Sequence, residues 1–327
     1  MSRGTSQLEG GGGVGAVGRP APGRRRLRGP ARVYAWTAFP AVLALTHWGG
    51  MALMEAGVEP ALSVGPPIAA AYLFLALSEW WLPWHRSWLR PRGDLGTDVG
   101  LFLVNTAVTG LATPVVLAGG ALAGTWLAAR IGAGLWPVGI ALWLQLPLAL
   151  VVAELVEYSF HRAMHEVPWL WRFHVTHHSA PRLYWLNAVR FHPIDLFLVG
   201  TVKLVPLAVL GAGPEVFALV TLFSGVHGAF QHANVPVRLG PLNWVFSMTE
   251  LHRWHHAPEP ELANHNYGGN LIVWDVVFGT RFLPRDREPP EAIGIRDLPA
   301  FPRGLIANLL APFRWGRVVE RASSPDR

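Results

Sequence analysis

Four long apolar segments constrain this chain more than any other feature. They run roughly Val33–Met54, Leu62–Trp84, Val99–Ala123 and Leu135–Tyr158, each near the ~20 residues needed to cross a bilayer. Inside lipid a backbone must satisfy its own polar groups, which leaves helices or closed barrels. Uninterrupted apolar runs of this length read as helices, and Pro40, Pro66, Pro114, Pro137 and Pro147 are tolerated in membrane helices. A second apolar pair, Ile194–Leu210 and Glu215–Phe230, is split by Gly211-Ala-Gly-Pro214. Both halves are short for full crossings, so they read as a helical hairpin that returns to the face it entered from. The expected fold class is an all-α polytopic membrane bundle: about four transmembrane helices, a short hairpin, and a His-rich cap. Only 15 % of residues are charged, against about 25 % in soluble domains, which argues against a soluble enzyme.

Charge sets the expected orientation. Arg19, Arg24, Arg25, Arg26, Arg28 and Arg32 precede the first apolar run. They read as a cytoplasmic anchor beside anionic lipid, not as a nucleic-acid surface. Arg86, Arg90 and Arg92 follow the second crossing, and Arg162 and Arg172 follow the fourth, while the loop after the third carries only Arg130. The N-terminus and everything after the fourth crossing are therefore expected in the cytoplasm. Trp80, Trp81, Trp84 and Trp88 read as an interfacial aromatic belt. Four regions are expected: a disordered Gly/Arg-rich tail over 1–30, N-terminal transmembrane helices over 31–93, a catalytic region over 94–285, and a C-terminal cytoplasmic tail over 286–327. The Gly/Ala/Arg/Pro-rich usage fits a bacterial inner-membrane protein.

The chain has no cysteine and 14 histidines. Disulfides, thiolate nucleophiles, Cys-ligated zinc and iron–sulfur clusters are excluded. Eleven of the histidines fall between His161 and His256. His161 and His165 form an HxxxH; His174, His177 and His178 form an HxxHH; His252, His255 and His256 form a second HxxHH. In a helix, residues at i, i+3 and i+4 share a face, so each box can present its imidazoles to one point. Eight ligands exceed the four to six that one ion takes, which suggests two ions side by side. Nitrogen ligands suit iron, zinc, copper or nickel. His192 and His232 are candidate ligands or helix-end hydrogen-bonders. His227 is a candidate ligand or a structural residue, and His265 reads as structural. Glu157, Asp195, Glu250 and Asp275 are candidate carboxylates behind the imidazoles, fixing their tautomers.

Two other readings compete. A zinc hydrolase would be expected to carry an HExxH helix, which is absent. A metal carrier would place its ligands near the midplane of its crossing helices, whereas these boxes sit at one membrane face.

The order HxxxH, HxxHH, HxxHH resembles the fatty acid hydroxylase superfamily, also called the sterol desaturase family. The strings that carry it are His161-Arg-Ala-Met-His165, Phe173-His-Val-Thr-His-His-Ser179, Arg190-Phe-His-Pro193, Gln231-His-Ala-Asn-Val235, Leu251-His-Arg-Trp-His-His256, Asn266-Tyr-Gly-Gly-Asn-Leu271, Trp274-Asp275 and Phe278-Gly-Thr280. The resemblance spans roughly 95–285. It implies a membrane-embedded non-haem di-iron oxygenase that uses O₂ and two electrons to hydroxylate or desaturate a lipid. It carries over the eight box histidines as iron ligands, with His232 and His192 beside them. No cytochrome b5-type domain is recognisable in the remaining stretches, so a separate reductase, cytochrome or ferredoxin-type donor is expected.

Overall fold

A computed structural model describes residues 26–323; the expected N-terminal tail lies outside the described residues up to residue 25. The described chain is helical, with a single isolated antiparallel bridge between Phe246 and Leu271. Helix α1 (Gly29–Glu55) and α2 (Pro60–Trp81) form a first antiparallel pair. Helix α3 spans Leu95–Ile131 and ends on Gly132, whose φ of +74° suits a residue without Cβ. At 1.5 Å per residue α3 is about 55 Å long. Helix α4 (Leu142–Glu166) runs to Val167, where an extended φ/ψ of −100°/112° ends it ahead of Pro168. Pro168 then opens α5 (Pro168–His178) at a position where its missing N–H costs nothing. The bend at Val167 folds the first HxxHH back towards the HxxxH. Helices α6 (Pro193–Leu210) and α7 (Pro214–His232) turn at Gly211, with φ +92°. The short α8 (Thr249–His255) carries the last box.

Four segments are long and apolar enough to cross a membrane: Pro60–Trp81, Leu95–Ile131, Leu142–Glu166 and Pro193–Leu210. The total matches the expectation but the membership differs. The α1 segment is helical, but Tyr34, Trp36, Pro40, His47 and Trp48 dilute its aliphatic content. Helix α6, expected as half of a short hairpin, reaches 18 residues and joins the four. Large apolar side chains such as Leu73, Leu111, Val115, Leu122 and Trp143 are exposed along these helices, as lipid-facing surfaces are.

Helix α6 packs most extensively against α3 and α4. A Cβ on Gly120 would stand 2.6 Å from Ala208 Cβ, and one on Gly124 would stand 2.6 Å from the Val209 carbonyl oxygen. Small residues here let the two backbones meet, as membrane helix pairs require. The buried core has two main parts. Phe39, Leu75, Phe230 and Met248 join α1, α2 and α7, while Leu150, Leu207 and Phe223 join α4, α6 and α7.

One expectation needs correcting. Trp80 and Trp81 are exposed, but Trp84 and Trp88 are buried, so only half of the predicted belt faces outward. The turn at Arg86–Leu89 folds these two rings inward, and Trp88 Nε1 donates to the Glu291 carbonyl at 3.1 Å. In the segment after 286, Leu298, Ala311 and Val318 cluster with Val175 of α5.

Candidate metal centre

The connectivity brings every histidine box to one end of the bundle. His161 and His165 close α4, α5 doubles back over them, His192 precedes α6, and His232 ends α7, so both hairpin ends return to that face. Two groups result. His161, His165, His174, His178 and His255 form one; His177, His232, His252 and His256 form the other. Within each group, one ring nitrogen per residue lies within 4.8 Å of the others. The two HxxHH boxes are shared out between the groups, while the HxxxH stays whole. Adjacent His177 and His178 serve different groups, as do His255 and His256, with inter-ring angles of 87° and 86°.

Hydrogen bonds fix which nitrogen faces inward. His161 Nδ1 lies 2.6 Å from the Tyr267 carbonyl, and His165 Nδ1 lies 3.1 Å from Asn264 Oδ1. His174 Nδ1 lies 3.0 Å from Asp195 Oδ2, and His177 Nδ1 lies 3.3 Å from the Arg190 carbonyl. His232 Nδ1 meets the Gly228 carbonyl at 2.8 Å, and His255 Nδ1 meets the His265 carbonyl at 2.9 Å. All six partners are acceptors, so the Nδ1 atoms carry the protons and the Nε2 atoms keep their lone pairs. Yet His161 Nε2 faces His174 Nε2 at 3.0 Å, and His232 Nε2 faces His177 Nε2 at 3.3 Å. In both pairs two lone pairs oppose each other. The Nε2 atoms of His165, His178 and His255 are buried with no partner at all. Leaving so many buried acceptors unmatched is costly, and a cation between them removes the cost. Ligands about 2.1 Å from an ion at right angles stand about 3.0 Å apart, which is the spacing seen.

Burial first, and then the neighbouring imidazoles, hold His177, His178, His252 and His256 well below the usual histidine range. Burial lowers His255 to about 3. These rings are therefore neutral and able to ligate at neutral pH.

The remaining candidates separate. His192 lies outside both groups: its Nδ1 accepts from the Ile194 N–H and its Nε2 donates to the Leu309 carbonyl, each at 3.2 Å. It caps α6. His227 is also outside, buried among Phe39, Phe223 and Phe246. Of the four predicted carboxylates, Asp195 alone meets an imidazole. Asp275 acts one step further back, accepting from the Tyr267 and Gly268 N–H groups at 2.8 and 2.7 Å. Glu157 pairs with Lys203 at 2.8 Å, and Glu250 with Arg238 at 3.1 Å and with Asn243. Both lie close to the boxes in sequence, but their own charge partners hold them elsewhere. Exchanging Asp195 for Asn is expected to weaken metal affinity about 10–100-fold, measured by competitive chelation; unchanged affinity would remove Asp195 from the site.

Sequence reasoning missed the backbone acceptors and the residues that aim them. Asn266, at φ +57°, is the one non-glycine residue with positive φ among the described residues. It lies between the two carbonyls, of His265 and Tyr267, that take His255 and His161. Arg190 pairs with Asp98, and donates to the Thr176 carbonyl at 3.1 Å and Ser179 Oγ at 3.0 Å, tying down the end of α5 on both sides of His177 and His178. The strings Asn266-Tyr-Gly-Gly and Arg190-Phe-His-Pro were visible in the sequence, but carbonyl direction is not written in residue type.

Comparison with known proteins gives the same reading. The fatty acid hydroxylase family model matches residues 146–280, which contain all nine clustered histidines. An ornithine lipid hydroxylase, OlsE, of Rhizobium tropici is 36 % identical over 250 residues, covering 74 % of this chain and 73 % of that protein. The chain belongs to the fatty acid hydroxylase family. Within that family it is also similar to an alkylglycerol monooxygenase of Xenopus tropicalis, at 36 % identity over 39 % of this chain and 28 % of the relative. A fatty acid hydroxylase, vlmA, of a Lecanicillium species is 30 % identical over 42 % of each chain. No solved structure matches the chain. It is thus a membrane enzyme of a lipid-hydroxylating family, with two histidine clusters suited to metal.

Proposed function

We propose that the chain is a non-haem di-iron oxygenase that hydroxylates a membrane lipid, using O₂ and two electrons from a separate donor. The five-histidine group would hold one iron and the four-histidine group the other. The observation that carries this reading is the opposition of Nε2 lone pairs, His161 to His174 and His177 to His232, which a bound cation relieves while every Nδ1 bond is kept. Five nitrogen ligands exceed the closed tetrahedral set of structural zinc, and all-imidazole surroundings suit iron. Bound there, the two irons would supply the reductive O₂ chemistry that C–H hydroxylation needs. The protein's own part is to gather nine imidazoles, aim the Nε2 atoms of six of them through the Nδ1 bonds behind them, and exclude bulk water by burial. The relatives that match at 30 % identity or more are named hydroxylases and monooxygenases, which favours hydroxylation, while a relative at 25 % identity is named a putative sterol desaturase.

The arginine distribution supports a bacterial inner-membrane location with the metal end in the cytoplasm. Tags after Arg130 and within the C-terminal cap are expected on opposite sides of the membrane; the same side for both would overturn this orientation.

The deciding experiment is metal analysis of the purified enzyme together with ¹⁸O₂ labelling. About two irons per chain and ¹⁸O in a lipid product are expected, and lipid extracts of a deletion strain should lack that product. Zinc in place of iron, or label incorporated only from water, would refute the proposal.

A further inference from the structure

A cavity of about 180 Å³ lies at the metal end of the bundle, outside both histidine groups. Arg92, Asp94 and Thr97 line it from the start of α3, and Ser179 and Arg190 from the end of α5 and the loop beyond. The C-terminal segment closes the other side with apolar Leu298 and Phe301 and with Arg303. The volume is room for several water molecules, hence for one small polar group. Ser179 follows His178, and the Arg190 carbonyl meets His177 Nδ1 at 3.3 Å, so the cavity stands directly behind the metal centre.

The groups around it are donors. Helix α3 has 37 residues, and its first intrahelical bond runs from the Asp98 N–H to the Asp94 carbonyl, so the N–H groups of Leu95, Gly96 and Thr97 have no partner in the helix. No side chain caps them. Asp94 stands at the cap position, but its Oδ1 accepts from the Arg92 N–H at 2.6 Å and its Oδ2 from Arg182 Nε at 2.7 Å. The positive end of the helix dipole is thus left without an anion of its own. Thr97 is 4 % exposed, and its hydroxyl makes no hydrogen bond among the described residues, whereas buried hydroxyls are normally paired. Charge sets the sign. Asp94 and Asp98 are matched by Arg182 and Arg190. Arg92 and Arg303 have no carboxylate partner among the described residues. Arg92 Nη1 donates to the Pro181 carbonyl at 3.0 Å, which leaves the rest of its donor fork unused. Both arginines are exposed, so a ligand from outside can reach them. An amine or a metal cation would meet donors and surplus positive charge; an oxyanion matches both.

The surroundings point to lipid as its source. Helix α3, about 55 Å long, exceeds the ~40–45 Å of a bilayer with its headgroups, so its first turn stands at or just beyond headgroup level. Leu305, two residues after Arg303, packs on Gly100 of α3, where an added Cβ would stand 2.7 Å from Leu305 Cδ2. Ile306 and Phe313 of the same segment are each 65 % exposed, as apolar side chains of a segment lying on lipid are. We propose that this cavity binds the phosphate of an anionic membrane lipid, bridging the start of α3 to Arg303 of the C-terminal segment. The lipid is a bound partner behind the metal centre, not the molecule oxidised, and the assignment is independent of the metal.

The test counts retained lipid by native mass spectrometry on the purified full-length chain, given either phosphatidylglycerol or the uncharged diacylglycerol of the same acyl composition. Wild type is expected to retain phosphatidylglycerol at least about tenfold better, and inorganic phosphate at equal concentration should not displace it. Arg303→Gln and Thr97→Val should each lose most of that preference. Arg314→Gln changes a basic side chain of the same segment outside the cavity and should keep it. Without lipid, Thr97→Val should melt at or above the wild-type temperature, because an unpartnered buried hydroxyl has been removed; with phosphatidylglycerol it should gain less than wild type does. Equal retention of the two lipids by wild type, unchanged preference in both cavity variants, or an equal loss in Arg314→Gln would each overturn the site. Displacement by inorganic phosphate would overturn the lipid assignment and make a free oxyanion the ligand.

Discussion

His178→Ala should empty one metal position and His177→Ala the other, although the two residues are neighbours in sequence. His178 belongs to the five-histidine group with His161, His165, His174 and His255; His177 belongs to the four-histidine group with His232, His252 and His256. Removing a ligand should cost more than the 10–100-fold in affinity typical of groups behind the ligands. Each single variant should therefore hold about one iron, the double variant none, and lipid oxidation should fall to background in all three. Membrane insertion should be unaffected, because neither residue lies in a spanning segment. Metal content by mass spectrometry and protease protection in membranes check both halves. Two metals retained in the double variant would show that the clustered imidazoles are not the ligands.

The second large effect is expected at Asn266, which is not a ligand. Its φ of +57° is open to Asn but strained for β-branched residues. Its side chain donates to the Leu251 and Phe282 carbonyls at 3.0 and 2.8 Å and accepts from the Phe282 N–H at 2.7 Å. Those bonds fix the loop on which the His265 and Tyr267 carbonyls point at His255 and His161. Asn266→Val combines about 1–3 kcal/mol of backbone strain with three lost hydrogen bonds worth about 0.5–1.5 kcal/mol each. It should lower thermal stability and deplete the five-histidine group of metal. Asn266→Gly keeps the backbone conformation and loses only the bonds, so it should fall between wild type and valine. Wild-type metal content in Asn266→Val would show that the loop does not aim these imidazoles.

Periodicity and residue type carried most of the fold and the ligand inventory. Runs of about twenty apolar residues can satisfy their backbones in lipid only as helices, and HxxxH and HxxHH spacing makes imidazoles converge on one helix face. Local pattern was weaker where a side chain's surroundings depended on distant segments. Helix α6 lies close against Gly120 and Gly124 of α3, and Trp84 and Trp88 turn inward where the chain folds back towards Glu291. Glu157 and Glu250 show the same limit: they lie close to the boxes in sequence, while Lys203 and Arg238, on other segments, take their charges.

The sequence by itself determined that this chain is a helical membrane protein and which eight box imidazoles it offers to metal, with His232 left open, because hydrophobic length and i, i+3, i+4 spacing are local properties. Only the tertiary structure decided how those nine divide into five and four, which ring nitrogen each one turns inward, and that His192 and His227 stand apart. Those outcomes depend on carbonyl directions and long-range pairings, which exist only once distant segments have been brought into contact.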